Sequence, residues 1–307
     1  MKVLLIGLGS IAKKHISALR VIDPTISISA LRSNRNSAPY LGVEDIYDIN
    51  DIVFEEYSFA IISNPTSEHA KTVETLIGYN IPLFIEKPIF AELDHEDILK
   101  KINDNHIKSY VACDMRFLDC LNYTYDYIHG EGNRRRVNEV NVYCGSYLPD
   151  WRPGTDYKRC YSAIPELGGG VHIDLIHDID YVYWIFGAPL YTQKVFRNNS
   201  SIEIKAIDYA NYTMVYEQFC TSVILNYYRR DAKRTMEIVF SDGTWLVDMN
   251  ANQIKDEIGN IVYSSEQSSM DCYIKQLKNF MDSLNNENSK SSNDAFEAYE
   301  VLKICLV

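Results

Sequence analysis

Residues 2–12, KVLLIGLGSIA, give the strongest indication of fold near the start of this 307-residue chain. Their apolar opening is typical of a buried parallel strand, and residues 11–20 have helical spacing. Gly7, Gly9 and Ala12 form the pattern GxGxxA between the two elements. There the first glycine permits a tight turn, the second lets a pyrophosphate approach the backbone, and a small third residue lets the helix pack on the strand. The stretch predicts a dinucleotide-binding turn, with a merely tight strand-to-helix turn as the alternative.

Apolar runs and helical segments alternate through the first third of the chain. Strands are predicted near residues 26–31, 60–63, 82–86 and 109–114, with an amphipathic helix after the second and another before the last. Strands that alternate with helices imply right-handed crossovers and a doubly wound parallel sheet. We therefore predict an N-terminal α/β domain of the Rossmann type over residues 1–118.

Beyond this domain, longer runs of alternating apolar and polar residues predict antiparallel strands, including a hairpin with an Asp-Gly turn at residues 242–243. A helix is predicted over about 171–186, a Ser/Asn-rich surface loop over 283–293, and a last helix over 295–306. We predict an α+β domain over residues 119–307, built on a large, mostly antiparallel open sheet. The last helix is a candidate for packing back on the Rossmann domain.

The composition narrows the class of protein. The chain has 30 Lys and Arg against 42 Asp and Glu, a net charge of −12. Nucleic acids and anionic membranes require a basic surface, so neither is expected as a partner. No apolar run approaches the roughly 18 residues of a membrane helix. The seven cysteines are an odd number and widely scattered, which favours reduced thiols in a cytoplasmic protein.

The end of the second predicted strand bears on the choice of cofactor. An NAD-binding turn usually has an acidic residue there for the ribose hydroxyls, but this chain has Arg32 and Ser33. An arginine and a hydroxyl can hold a 2′-phosphate, with Arg35 in reserve. NADP(H) is therefore favoured and NAD(H) is possible; the alternative is a solvated basic loop.

Two more segments follow strands of the predicted parallel sheet. Asn64-Pro65-Thr66 with His69 follows the strand at 60–63, and Glu86-Lys87-Pro88 follows the strand at 82–86. Proline restricts the residue before it to an extended conformation, which would aim the Lys87 ammonium out of the carboxyl edge of the sheet. Alone, either segment could be a turn with a helix cap.

Three glycines, 168–170, precede the predicted helix that contains His172, Asp174 and His177. Asp174 and His177 are three positions apart and share a face, which Asp178 could also share. His172 and His177 are five positions apart, or about 140° around a regular helix, so they cannot point at one site. No zinc site is expected here, and no metal elsewhere.

The motifs in order resemble the Gfo/Idh/MocA (glucose–fructose oxidoreductase / inositol dehydrogenase) family. GLGSIA, NPTSEHA, FIEKPI, the Met-Arg-Phe at 115–117, the triple-glycine helix and the final helix have the family's order, over essentially the whole chain. The resemblance implies a nicotinamide-binding Rossmann domain followed by an α/β domain. It also implies self-association through the open sheet, as a homodimer or homotetramer.

Within that family, residues 147–157, YLPDWRPGTDY, are similar to a subgroup of surface-polysaccharide and nucleotide-sugar pathways. The spacing Asp174-x-x-His177 also occurs in that subgroup, whereas D-x-x-x-H is commoner in the family. His172 stands where an aliphatic residue is expected. The resemblance therefore implies a sugar or nucleotide-sugar substrate.

A mechanism of sugar oxidation assigns roles to these residues. Lys87 would stabilise the developing alkoxide and share its proton, and His177 would be the general acid/base. Asp174 would bind substrate hydroxyls or orient His177; the alternative is a hydrogen-bonded helix face. Glu86 is expected to fix the cofactor ribose or the Lys87 loop.

The predicted site also includes residues that are expected to bind the cofactor or the substrate. The cofactor-binding residues are Gly7, Gly9, Ser10, Ile11, Ala12, Arg32, Ser33, Asn64, Pro65, Thr66, His69, Glu86 and Lys87. The substrate-binding residues are Arg116, Arg152, Asp156, Tyr157, His172, Asp174 and His177. His69 is expected to be chiefly structural, Arg116 could instead pair with an acid, and residues 152–157 could instead form a polar loop held by Trp151.

Three functions compete on these observations. The first is an NADP(H)-dependent oxidoreductase acting on a sugar or nucleotide-sugar hydroxyl or keto group. The second is a cofactor-binding regulator without turnover, for which a replaced Lys87 or His177 would be expected; both residues are present. The third is a glycosidase of the same family that shuttles hydride through a bound NAD within one catalytic cycle.

Overall fold

The computed structural model describes residues 1–132, 135–286 and 292–306. Its strands are β1 (Lys2–Ile6), β2 (Ser27–Leu31), β3 (Glu44–Ile46), β4 (Phe59–Ile62), β5 (Leu83–Ile85), β6 (Ser109–Val111), β7 (Val137–Tyr147), β8 (Tyr191–Arg197), β9 (Tyr209–Val215), β10 (Cys220–Asn226), β11 (Tyr228–Phe240), β12 (Gly243–Asp248), β13 (Gln253–Asp256) and β14 (Ile261–Ser264). Its α-helices are α1 (Ser10–Ile22), α2 (His69–Ile77), α3 (Glu96–Asp104), α4 (Asp119–His129), α5 (Val171–Asp174), α6 (His177–Phe186), α7 (Ser269–Leu284) and α8 (Ala295–Leu306).

The chain forms two compact units. The first comprises Met1–Asp114 and Ser268–Lys303, and the second comprises Met115–Gln267 and the residues from Ile304. The sequence predicts a boundary at residue 118 and one domain from there to the end, whereas α7 and most of α8 group with the first unit. The reason is packing: Phe280 of α7 lies against the rings of Phe59 and Phe84 in the parallel sheet.

The first unit is a six-stranded parallel sheet in the order β3-β2-β1-β4-β5-β6. This is the strand order of a dinucleotide-binding Rossmann fold. The core of the sheet is fully buried, as the continuous apolar sequences of β1 and β4 require. Ile6, Ile62 and Ile85 are register partners on three neighbouring strands. The segments that follow these residues therefore leave the sheet at the same edge.

The second unit is built on an eight-stranded sheet in the order β14-β13-β12-β11-β7-β10-β9-β8. β7 and β10 run parallel, and the other neighbouring strands of this described sheet are antiparallel. The predicted Asp-Gly hairpin is confirmed, since β11 pairs with β12 across Phe240 and Gly243. The predicted fold class, a Rossmann parallel sheet followed by a mostly antiparallel sheet, is confirmed.

Two local predictions need correction or restriction. The predicted helix over 171–186 is two helices, α5 and α6, separated by a turn at residues 175–176. The predicted loop at 283–293 begins later, because α7 continues to Leu284; residues 287–291 of it lie outside the described residues. None of the described helices is long and apolar enough to cross a bilayer.

Candidate functional site

The turn between β1 and α1 has the geometry that its glycines predict. Gly7 has a φ of +89°, and a Cβ at this position would lie 3.0 Å from the Asn64 backbone. A Cβ at Gly9 would meet no atom within 4 Å, so the backbone there is open to an approaching group. Ala12, in the first turn of α1, is fully buried. A helix N-terminus beside open space suits a pyrophosphate group, because the first N–H groups of a helix have no partners within the helix.

The end of β2 does not present a free cation. Arg32 donates through Nη1 to both carboxylate oxygens of Asp45, at 2.9 Å each, and to Ala38 O at 3.0 Å. Both side chains of the pair are largely buried. The positive charge that the sequence assigns to a 2′-phosphate is therefore largely balanced. The sequence does not identify Asp45 as the partner of Arg32, because Asp45 lies on β3, thirteen residues further along the chain.

His69 joins two of the predicted motifs. Its Nε2 lies 3.1 Å from Asn64 O, and its Nδ1 lies 3.0 Å from Pro88 O. The ring is buried, which lowers its pKa and favours the neutral form. Its contacts are backbone carbonyls of the protein, as expected of a structural residue. Pro65 is exposed and Thr66 is half-buried, so both are accessible to a ligand.

Glu86 contacts both the phosphate-binding helix and the lysine after it. Its Oε1 lies 2.6 Å from Nε2 of His15, a fully buried residue of α1. Its Oε2 accepts a hydrogen bond from the backbone N–H of Lys87, at 3.3 Å. Of the two roles expected for Glu86, this geometry is that of a residue that fixes the Lys87 loop. Sequence reasoning missed His15, although its place three residues after Ala12 on an amphipathic helix was a usable signal.

In the second unit, Asp174 is the centre of a polar cluster. It is 5% exposed, and its two carboxylate oxygens accept hydrogen bonds from the phenols of Tyr161 and Tyr227. Burial, and then the Asp174 charge, raise the pKa of both phenols, which therefore stay protonated and donate. Asp174 ends α5 and His177 begins α6, where it is half-buried. The two tyrosines lie 13 and 53 residues from Asp174 in sequence, so no local pattern predicts their hydrogen bonds to it.

The acidic residues that follow His177 are engaged in ion pairs of the core. Asp180 accepts from Nε and Nη2 of Arg116, at 2.8 and 2.7 Å. Arg116 is 2% exposed, so its expected alternative role, pairing with an acid, is the one that the geometry supports. Asp178 is likewise buried and pairs with Arg234 at 2.6 Å. Asp178 therefore does not act with Asp174 as a second carboxylate on a free helix face.

His172 lies in the core of the second unit. It is 8% exposed, and its ring packs against Phe196 with 5.2 Å between centroids. Burial lowers its pKa to about 4, so the ring is neutral near pH 7. The carbonyl of His172 accepts a hydrogen bond from Cys305 Sγ at 2.9 Å. These contacts are those of a packed core residue, whereas the sequence predicted a substrate ligand.

Residues 147–157 bring part of the predicted substrate loop to the Asp174 cluster. The Trp151 ring packs edge-on to Tyr227 at 5.3 Å, and the Arg152 guanidinium lies 5.7 Å from the Tyr161 ring. Asp156 and Tyr157 make contacts within their own surroundings instead, Asp156 with Lys158 N and Tyr157 with Ile202 O. A small pocket is lined by Leu148, Trp151, Arg152, Thr155, Tyr157, Cys160 and Ser162.

Metal coordination has no candidate in the part of the chain that the structure describes. No group of three or more His, Cys, Asp or Glu side chains there could hold a metal ion.

Comparison with known proteins bears on both units. Residues 1–111 match the Gfo/Idh/MocA family, described as an oxidoreductase family with an NAD-binding Rossmann fold. No curated protein sequence matches the chain.

Solved structures share the fold over nearly the whole chain. UDP-N-acetylglucosamine 3-dehydrogenase GnnA from Acidithiobacillus ferrooxidans has a TM-score of 0.80 at 17% identity, covering 100% of this chain and 95% of its own. The WlbA dehydrogenase from Bordetella pertussis, solved with NADH and UDP-GlcNAcA, has a TM-score of 0.81 at 14% identity, covering 98% and 92%. GenD2 from gentamicin A biosynthesis, solved with NAD, has a TM-score of 0.80 at 13% identity, covering 99% and 92%. At these identities the likeness shows the fold alone.

The strand order of the first unit, its open GxGxxA turn and the family match over residues 1–111 agree with one another. The N-terminal part of the chain, residues 1–111, thus matches an oxidoreductase family with an NAD-binding Rossmann fold, and the chain as a whole shares the fold of the solved structures above.

Proposed function

We propose that the protein is an NAD(P)-dependent oxidoreductase that transfers hydride between the nicotinamide and a hydroxyl or keto carbon of a sugar or nucleotide sugar, in surface glycan biosynthesis. The observation that carries this proposal is the shared edge of the parallel sheet. Because β1, β4 and β5 are neighbours in register, the segments with Gly7, Asn64 and Lys87 leave the sheet side by side. A phosphate-binding turn next to a half-buried lysine is suited to oxidation at a carbon that bears oxygen.

The cofactor residues follow from this edge. The N-terminus of α1 with Gly7, Gly9 and Ser10 would hold the diphosphate, and Pro65 and Thr66 would pack on the adenosine portion. The bound nicotinamide supplies the site that accepts or donates hydride. We propose NADP(H) ahead of NAD(H), because the end of β2 carries Arg32 and Ser33 where an NAD-binding turn usually has an acidic residue.

Proton transfer accompanies the hydride. As the sugar hydroxyl is oxidised, its O–H bond breaks and the proton passes to the imidazole of His177, while the Lys87 ammonium stabilises the negative charge that develops on the oxygen. Asp174 is already held by two phenols, so we assign it to binding substrate hydroxyls rather than to accepting the proton. In the reduction direction the same groups return the proton.

The substrate class rests on the second unit. GnnA and WlbA, which share this fold, are named for or solved with UDP-sugars. Trp151 and Arg152 flank the Asp174 cluster, and an indole and a guanidinium suit a sugar face and a phosphate respectively. A nucleotide sugar is therefore the preferred substrate. Assembly as a homodimer or homotetramer, and location in the cytoplasm, stay predictions.

The test is a panel of nucleotide sugars and free sugars, each with NAD⁺ and NADP⁺, monitored by nicotinamide absorbance. We expect turnover of at least one nucleotide sugar, and a loss of about 10³-fold in kcat for Lys87→Ala. Lys100→Ala, an exposed lysine of the same unit, is the matched control and should keep full activity. The proposal fails if no compound is oxidised or if Lys87→Ala retains the activity. Sugar hydrolysis without net reduction would identify the glycosidase alternative.

A further inference from the structure

We infer that His15 is a positioning residue for Lys87 and that it acts through Glu86. This inference rests on the proposed function of Lys87. His15 belongs to α1, the helix that begins at the phosphate-binding turn, whereas Glu86 and Lys87 follow β5. A single side-chain hydrogen bond of 2.6 Å therefore joins the cofactor-binding helix to the segment of the catalytic lysine.

The His15 ring has little freedom to move. It is fully buried, and it meets the edges or faces of two aromatic rings, Phe84 at 5.1 Å and Tyr273 at 5.8 Å between centroids. Packed rings hold one rotamer, so Nε2 stays directed at the Glu86 carboxylate. The contact is short and lies in a low-dielectric interior, which makes it stronger than the same bond in water.

Glu86 transmits this constraint to the lysine backbone. Its second oxygen, Oε2, accepts the Lys87 N–H at 3.3 Å. The next residue is Pro88, which has no N–H of its own, and its carbonyl lies 3.0 Å from His69 Nδ1. The backbone of Lys87 is thus held on one side through His15 and Glu86 and on the other through His69. Fixing the backbone fixes the point from which the ammonium group extends.

Stability alone does not account for a buried histidine–carboxylate pair at this place. Desolvation of two polar groups offsets much of their attraction, and an apolar pair of the same volume usually folds as well or better. An apolar pair could not accept a hydrogen bond from the N–H of Lys87. We therefore assign the polar pair to fixing the position of Lys87. Misplacing a reacting group by about 1 Å can cost roughly 100-fold in rate.

The experiment compares variants of His15 in the full-length protein with its best substrate from the panel. His15→Phe keeps an aromatic ring in place and removes the hydrogen bond; we expect kcat to fall about 30- to 100-fold, with the substrate KM and the cofactor Kd within about threefold of the wild type. His15→Gln places an amide nitrogen near the position of Nε2 and should recover kcat to within about fivefold. His106→Gln, at an exposed histidine of the same unit, is the control and should leave kcat unchanged.

The outcomes separate this inference from the proposed function. If Lys87→Ala is inactive but His15→Phe keeps the wild-type kcat, the positioning role is wrong and the oxidoreductase stands. If the wild type turns over no substrate, or Lys87→Ala is as active as the wild type, the proposed function is wrong and the inference falls with it. Should His15→Phe fail to fold, His15→Asn replaces it: its shorter amide cannot reach Glu86, so a kcat equal to that of His15→Gln would overturn the inference.

Discussion

Histidine and acidic residues have different surroundings in the two units. In the first unit, Glu86 and Lys87 lie where a parallel strand ends, and the buried His15 and His69 hold the segments that present them. In the second unit, the helix pair α5 and α6 is just as rich in histidine and aspartate, yet most of these groups are engaged in the core.

This difference shows what each kind of motif can reveal. Parallel strands end at one edge of a sheet, so a polar segment after a strand is placed toward a ligand by the fold itself. A polar residue on a helix faces either the core or the ligand, and its partner elsewhere in the chain decides which. Asp174 meets two phenols, whereas Asp178 and Asp180 meet arginines.

The largest effect should come from breaking a core ion pair of the second unit. Arg116→Ala leaves Asp180 buried without its bidentate partner, and removing one member of such a pair costs about 3–5 kcal/mol of unfolding free energy. Replacing both residues, as Arg116→Met with Asp180→Leu, should restore most of it. Denaturant unfolding measures the change. An Arg116→Ala protein as stable as the wild type but impaired in substrate binding would place Arg116 in the substrate site after all.

A second effect is the pH dependence that His172 imposes on stability. Its folded-state pKa is lowered from 6.5 to about 4, so between these pH values the unfolded chain takes up a proton that the folded protein does not. Stability should therefore fall as the pH drops from 6.5 towards 4, by about 3 kcal/mol from this group, and level off below 4. His172→Leu should flatten the difference between unfolding free energies at pH 7 and pH 4. An unchanged slope would contradict the buried, neutral state of this ring.

Sequence reasoning therefore predicted the two units unequally. Gly7, Gly9 and Ala12 could be assigned to a dinucleotide-binding turn, because the pattern GxGxxA lies directly between a predicted strand and a predicted helix. The partners of Arg32 and Arg116 could not, because Asp45 lies on a neighbouring strand and Asp180 lies 64 residues away. The break between α5 and α6 could not be predicted either, because residues 175–176 are Leu and Ile and include no proline or glycine.

A smaller effect should follow from loosening Asp174. Tyr227→Phe removes a hydroxyl that lies 2.5 Å from the carboxylate, while the ring keeps its contact with Trp151. We expect the sugar KM to rise about tenfold, the value of one hydrogen bond to a charged group, with cofactor affinity unchanged. Steady-state kinetics give both values, and Tyr228→Phe at the adjacent position is the control. Equal KM values for the two variants would remove Asp174 from the substrate site.

The smallest effect concerns the cofactor. Asp45→Asn removes the charge that balances Arg32, and it should increase the preference for NADPH over NADH by about three- to tenfold, as expected when one charge of an ion pair is removed. Fluorescence titration of both cofactors measures the ratio, with Glu44→Gln as the neighbouring control. An unchanged ratio would mean that the Arg32 pair does not contact the ribose phosphate.

We propose that the strand-edge segment around Lys87 serves a hydride transfer between the nicotinamide and the substrate. The most direct measurement supplies a nucleotide sugar deuterated at its carbinol carbon, with NADP⁺ or NAD⁺, and analyses both products by mass spectrometry. We expect deuterium on the reduced nicotinamide and an equal amount of keto sugar with the wild type, and neither product above background with Lys87→Ala. Deuterium that stays on the sugar with the wild type, or that is transferred as fast by Lys87→Ala, would contradict it.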